Sequence, residues 1–180
     1  VSDVPEAWQA LAASRWLPLL LLGLGTCSSA VHAHAPLVAF AAMSGVMLKP
    51  RRAVVVALLI WLVNQAIGFG IRGYPLSGMA FTWGSLMGVG TLLVVSLASI
   101  RPPFSRSSMT GHALWCVIAL VGGFVLYQGL ISLAYPVILD GHFMGLDVVA
   151  SVFRKQAVWA GGMALGHGLL MRLQMARRLA

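Results

Sequence analysis

The chain has 180 residues, of which 59% are hydrophobic and 9% charged, with a mean hydropathy of +0.90 and a formal net charge of +8. Soluble domains carry roughly 25% charged residues, so this composition excludes an ordinary soluble bundle and places the chain in a bilayer. The apolar runs are continuous and lack the alternation of barrel strands, so the expected fold is all-α.

The positive charge does not point to nucleic acid. The basic residues sit at the ends of apolar runs, and no aromatic stacking platforms lie between them. The two cysteines, Cys27 and Cys116, lie inside apolar segments and outside any CxxC, so they read as buried, inert thiols. The N-terminus lacks a basic n-region and a small-residue cleavage site, so the first apolar run is expected to be retained.

In chain order, residues 1–14 are mildly amphipathic, with Asp3, Glu6 and Trp8, and suit a short helix on the membrane interface. A first apolar helix is expected from Trp16 to about Val31. A turn with His32 and His34 follows, and Pro36 suits the first turn of a short second helix, 36–48. One helix over 16–48 would be roughly 50 Å long, too long for a hydrocarbon core of about 30 Å. The third helix spans about 52–69, the fourth 77–99, the fifth 110–137, and the sixth begins near Asp147 or Ser151 and reaches Leu173. Residues 104–108 read as a polar loop. The expectation is one domain over 1–180: a compact bundle of six transmembrane helices.

Lysine and arginine counts at the helix ends set the orientation. One side holds Arg15, Lys49, Arg51, Arg52, Arg101, Arg106, Arg172, Arg177 and Arg178; the other holds Arg72, Arg154 and Lys155. Nine against three places both termini in the cytoplasm. The turn at 32–34, the loop at 68–77 and the loop at 138–150 then face outward.

The unusual polar groups gather at those outward ends. They are His32 and His34; Asn64, Gln65, Arg72 and Tyr74; Tyr135, Asp140, His142 and Asp147; and Arg154, Lys155 and Gln156. Tyr127 and Gln128 are expected somewhat deeper. Most of them have a plain alternative, which for His32 and His34 is capping the turn. Tyr74, Trp83 and Tyr135 suit interfacial anchors, Arg154 and Lys155 suit snorkelling cations, and Asn64 and Gln65 suit helix–helix hydrogen bonds. Taken together they outline a binding pocket. Tyr74, Trp83 and apolar walls would bury a ring system, and Asn64, Gln65 and Gln156 would fix its polar edges. Arg72 and Arg154 would attract anionic groups, and glycines 68, 70 and 73 would let the loop close.

No Ser/His/Asp order, phosphate loop or carboxylate pair supports an enzyme, so none is expected. No dedicated metal site is expected either, although His32 or His34 is placed to ligate a cofactor's metal. A haem held by His112 and His167, on facing helices, is an alternative. Gly84/Gly88, Gly162/Gly166 and Ala35/Ala39 are small-xxx-small spacings that let helices approach closely, within the monomer or against a partner.

Six helices in about 180 residues, a short second helix, inward termini and an outward polar end resemble the substrate-binding S-component of energy-coupling factor transporters. The likeness covers the whole chain in architecture. It implies a vitamin-like substrate, a bacterial inner-membrane location, and a transmembrane coupling subunit with ATPases as partner. Ala35 and Ala39, with Ala41 and Ala42, look similar to the surface that docks on that subunit. Within the family, the chain most resembles the solitary cobalamin-specific group. His32 or His34 and Arg154 match that group's pocket by place. Asn64 stands where the group has an acid, and Ser77 is the nearest small polar residue to its cobalt-ligating cysteine, since 72–85 contains none. The resemblance implies cobalamin or a related corrinoid as transported substrate and no cofactor of the chain's own. Other readings are an accessory subunit of a larger membrane complex, and a metal- or haem-binding membrane protein.

Overall fold

A computed structural model describes residues 4–32, 35–138 and 145–179, so His34, Asp140 and His142 lie outside the described residues. Every regular element among the described residues is helical. They are α1 (Val4–Ala13), α2 (Trp16–Val31), α3 (Leu37–Met47), α4 (Pro50–Gly70), α5 (Gly78–Ser99), α6 (Phe104–Ser107), α7 (Met109–Ile138) and α8 (Leu146–Leu179). The six expected helices correspond to α2, α3, α4, α5, α7 and α8.

By length and composition α4, α5 and α7 can each cross a membrane, and α1 with α2, bent by 69° at their junction, makes a fourth candidate span. The chain is a multi-pass membrane protein. Helix α8 has 34 residues, but Arg154, Lys155, Gln156, His167 and its terminal arginines dilute its apolar character.

Helix α3 is the centre of the bundle. All eleven of its residues are buried, and it packs against α4, α5, α7 and α8. At 1.5 Å per residue it is roughly 16 Å long, about half the hydrocarbon thickness. Both its ends are enclosed by other helices, so orphan backbone groups there need protein partners, and side chains from other helices supply them. Gln156 Oε1 on α8 accepts the Ala39 N–H at 2.9 Å. At the other end, the Trp8 indole N–H donates to the Val46 carbonyl at 2.9 Å.

That second contact changes the expected role of the N-terminus. Helix α1 does not simply lie on the interface. Val4, Ala7, Leu11 and Ala12 are buried, and α1 packs on α8, α6 and α3. Arg52 donates to the carbonyls of Ala12, Ala13 and Ser14 at 3.1–3.2 Å and so caps the end of α1. The Arg101 guanidinium lies 3.5 Å from the Trp8 ring centroid. Burial first, and then the charge of Arg106, push its pKa down from 12.5 to about 10.

The expected polar loop at 104–108 contains the short helix α6. Its Ser105 hydroxyl donates to the Pro102 carbonyl at 2.7 Å, a local bond of the kind that lets Ser form turns. Cys27 is exposed on α2, contrary to the reading of both thiols as buried, while Cys116 is buried. The Gly84/Gly88 spacing serves packing inside the monomer. A Cβ on Gly84 would lie 2.6 Å from Gln65 Oε1, one on Gly88 would lie 2.9 Å from the Trp61 ring, and one on Gly90 would lie 2.6 Å from the Tyr127 ring. Gly162 and Gly166 on α8 meet nothing within 4 Å.

Candidate functional site

A cavity of about 460 Å³ opens where the N-terminal end of α3, the C-terminal end of α4, the start of α5, the later half of α7 and the start of α8 meet. The helices alternate in direction, so these parts belong to one end of the bundle. Helical spacing selects the lining. Trp83 and Met87 are four apart on α5. Tyr127, Ile131 and Tyr135 follow at intervals of four on α7, with Gln128 beside Tyr127. Val148, Val152 and Gln156 do the same on α8. Asn64, Gln65 and Phe69 come from the last turns of α4, and Leu37 from the start of α3.

Among the sequence-predicted residues, Asn64, Gln65, Tyr74, Trp83, Tyr127 and Gln156 line this cavity, and so does Ala35. Asn64 is only 9% exposed, and its Oδ1 is buried with no hydrogen-bond partner. A buried amide oxygen left unpaired costs about 1–3 kcal/mol, and this one has almost no surface open to the cavity, so a donor reaches it only if the side chain turns. Gln65 lays its amide oxygen over Gly84. Gln156 has its oxygen committed to Ala39 N–H. The Trp83 and Tyr135 rings sit 5.7 Å apart at 55°, giving the mouth an aromatic wall.

The loop 71–77 explains how Tyr74 arrives there. Gly73 has φ of +68°, a conformation that favours glycine. The chain turns back so that Tyr74 N–H donates to the Gly68 carbonyl at 3.1 Å. The Tyr74 ring covers Gly68, where a Cβ would lie 2.8 Å from the ring. Gly68 and Gly70 are thus helical residues of α4, and only Gly73 serves the loop as the sequence reading expected of all three.

The same turn takes Arg72 elsewhere. Its guanidinium donates to the carbonyls of Ser29 at 2.6 Å, His32 at 2.7 Å and Ala30 at 3.4 Å, so it caps the C-terminal end of α2. It does not line the cavity. We expect Arg72→Ala to lower stability by about 1–2 kcal/mol and to raise amide exchange at residues 28–32. Arg72→Lys should recover only part of this, because an ammonium lacks the guanidinium fork.

Arg154 is exposed on α8. It lies two residues from both Val152 and Gln156, so helical phase turns it away from the cavity. Ser77 is the N-cap of α5, its hydroxyl accepting the Ala80 N–H at 3.2 Å. His32 is half-buried and meets Trp159 edge-on, with centroids 6.2 Å apart. None of these three lines the cavity. Ala39 is fully buried in α3, which leaves it no surface for the partner docking that the sequence suggested.

The walls that the sequence reading did not assign include Phe69, Met87, Ile131, Val148 and Val152, together with Gln128 and Tyr135, which it noted as polar groups at that end. Spacing held the signal. Met87 is four beyond Trp83, Ile131 four beyond Tyr127, and Val152 four before Gln156.

His112 and His167 lie toward the opposite end of α7 and α8. They are joined by a ring-nitrogen hydrogen bond of 3.2 Å, with centroids 5.2 Å apart, and Cys116 Sγ is 3.9 Å from His112 Nε2. A haem iron between two imidazoles needs about 2 Å to each nitrogen and room for its macrocycle. A direct bond between the two rings leaves no such gap. Among the described residues no three His, Cys, Asp or Glu side chains are grouped to hold a metal ion.

A second cavity of about 360 Å³ adjoins the first and shares Ala35, Val148, Val152 and Gln156 with it; Asp147, Ser151 and Lys155 complete its lining. Comparison with protein-family models, curated proteins and solved structures finds no match to this chain.

Proposed function

We propose that the chain is a membrane uptake protein that binds a vitamin-like small molecule in the aromatic and carboxamide cavity and delivers it inward. The observation that carries this reading is a cavity large enough for a small ligand, lined by aromatic rings and carboxamides at one end of an otherwise apolar bundle. Carboxamides set among aromatic rings are costly to bury as structure and useful as recognition.

In this reading the cavity end faces outward, both termini are cytoplasmic, and six helices, α2 to α5 with α7 and α8, form the bundle in a bacterial inner membrane. The nine-to-three bias of Lys and Arg supports that orientation. In a Cys27→Ser background, a cysteine at Leu76 should react with an impermeant maleimide from outside whole cells. One at Ser107 should react only after lysis. The reverse pattern would invert the cavity.

The energy comes from a separate transmembrane coupling subunit with ATPases, as the S-component resemblance implies. Cobalamin, the substrate of the most similar group, is tested beside smaller vitamins. The test is uptake of a labelled vitamin panel by cells expressing the chain with a coupling module. Accumulation of at least one vitamin, lost in Asn64→Leu, is expected. No accumulation of any would overturn the proposal.

An accessory-subunit reading draws on a different observation. The α8 face with Val158, Gly162, Leu165 and Leu169 is exposed, and its glycine meets no neighbour. That reading predicts stable co-purification of a membrane partner and no ligand-dependent stabilisation.

A further inference from the structure

The two adjoining cavities differ in charge. The larger has no charged side chain among its described lining residues; its polar groups are the carboxamides of Asn64, Gln65, Gln128 and Gln156 and the tyrosine hydroxyls. The smaller holds both a carboxylate and an ammonium, Asp147 and Lys155. Helix α8 divides them. Its 148/152/156 stripe lines both cavities, and the neighbouring 147/151/155 stripe lines only the smaller.

We propose that the ligand is a neutral planar heterocycle carrying lactam or amide groups, with an anionic side chain. The ring occupies the larger cavity and the anion sits beside Lys155 in the smaller one. This rests on the uptake reading of the site.

Four considerations lead there. A charged ring would be desolvated in the larger cavity without a counter-ion, so the buried part of the ligand is neutral. The carboxamides of Asn64 and Gln65 in the lining offer the donors and acceptors that complement the N–H and carbonyl groups of a lactam. Phe69, Trp83, Tyr127 and Tyr135 offer ring faces and edges to a flat molecule. The volume of about 460 Å³ lies in the lower half of the range for drug-sized ligands, roughly 300–1,000 Å³. That suits one fused ring system and is small for a corrinoid.

The sign of the side chain follows from the smaller cavity. Lys155 is half-buried, whereas Asp147 is exposed in the first turn of α8. Eight helical residues separate them by roughly 12 Å along the axis. Lys155 has no ion-pair partner among the described residues. Ala35, which lines both cavities, immediately precedes the N-terminal end of α3, whose partial positive charge adds to that of Lys155. The deeper part of the smaller cavity is therefore positive.

The test uses the full chain in detergent and two matched pairs of probes, riboflavin with flavin mononucleotide, and pterin with pterin-6-carboxylate, plus cyanocobalamin. Equilibrium binding is measured at low salt for the wild type, Lys155→Gln and Asn64→Leu, with helical content and monodispersity checked for each. The anionic member of at least one pair should bind about tenfold tighter than its neutral partner. Lys155→Gln should abolish that preference and leave the neutral member unchanged. Asn64→Leu should weaken both members about tenfold or more. Equal affinity within the pairs, or a preference that survives Lys155→Gln, overturns the assignment of the anion to Lys155. Binding of cyanocobalamin alone overturns the ligand class while the uptake reading stands. If no probe binds, the ligand class fails, and the uptake panel separately decides whether uptake fails with it.

Discussion

Gly45→Val should unfold or severely destabilise the protein, by about 3 kcal/mol or more. At Gly45, α3 lies directly against the backbone of α5. A Cβ there would lie 2.6 Å from Ala98 Cβ, 2.8 Å from the Val95 carbonyl oxygen and 3.0 Å from the Ser99 nitrogen. Two of those atoms are backbone, so no rotamer change makes room, and inserting even a methyl into such a contact costs roughly 1–3 kcal/mol. Valine adds two further carbons to a helix that is enclosed along its whole length. Thermal or denaturant unfolding in detergent measures the effect. Gly162→Ala is the control. Its added Cβ meets nothing within 4 Å, and removing a helical glycine should leave stability unchanged or raise it by up to about 1 kcal/mol.

Val152→Trp should reduce ligand binding more than about a hundredfold with little change in fold. Val152 lines both cavities from the middle of the α8 stripe, so an indole there fills space where the two meet. The side chain is half-buried beside open volume, and the bundle can accept the larger residue without repacking α3. Ligand-dependent rise in melting temperature across a vitamin panel gives the readout. Retained stabilisation in Val152→Trp would place binding elsewhere.

Helix positions were legible in the sequence because apolar runs and their Pro, Gly and Arg boundaries are local signals. The short second helix is an example. Pro36 and the Lys49-Pro50 pair bracket it, and α3 occupies Leu37–Met47. What its shortness meant was less legible. Composition cannot tell an apolar helix facing lipid from one facing protein, so Ala39 read as docking surface although it lies in the core. The amides and aromatics of the site were found because polar groups clustered at one end of the bundle stand out in an apolar chain. The arginines misled for a physical reason. Helix ends in a membrane expose carbonyls that need donors, and Arg52 and Arg72 meet that need at α1 and α2. A cation beside a polar loop looks the same in sequence whether it binds a ligand or caps a helix. Arg154 was a matter of phase, decided by where α8 begins.

Whether the cavity holds a ligand is read by native mass spectrometry of the chain purified in mild detergent from cells supplied with vitamins. The wild type should carry one small molecule per chain, and Val152→Trp prepared in parallel should carry none. A wild-type protein that emerges empty, and that no vitamin on the panel stabilises, would contradict the uptake reading.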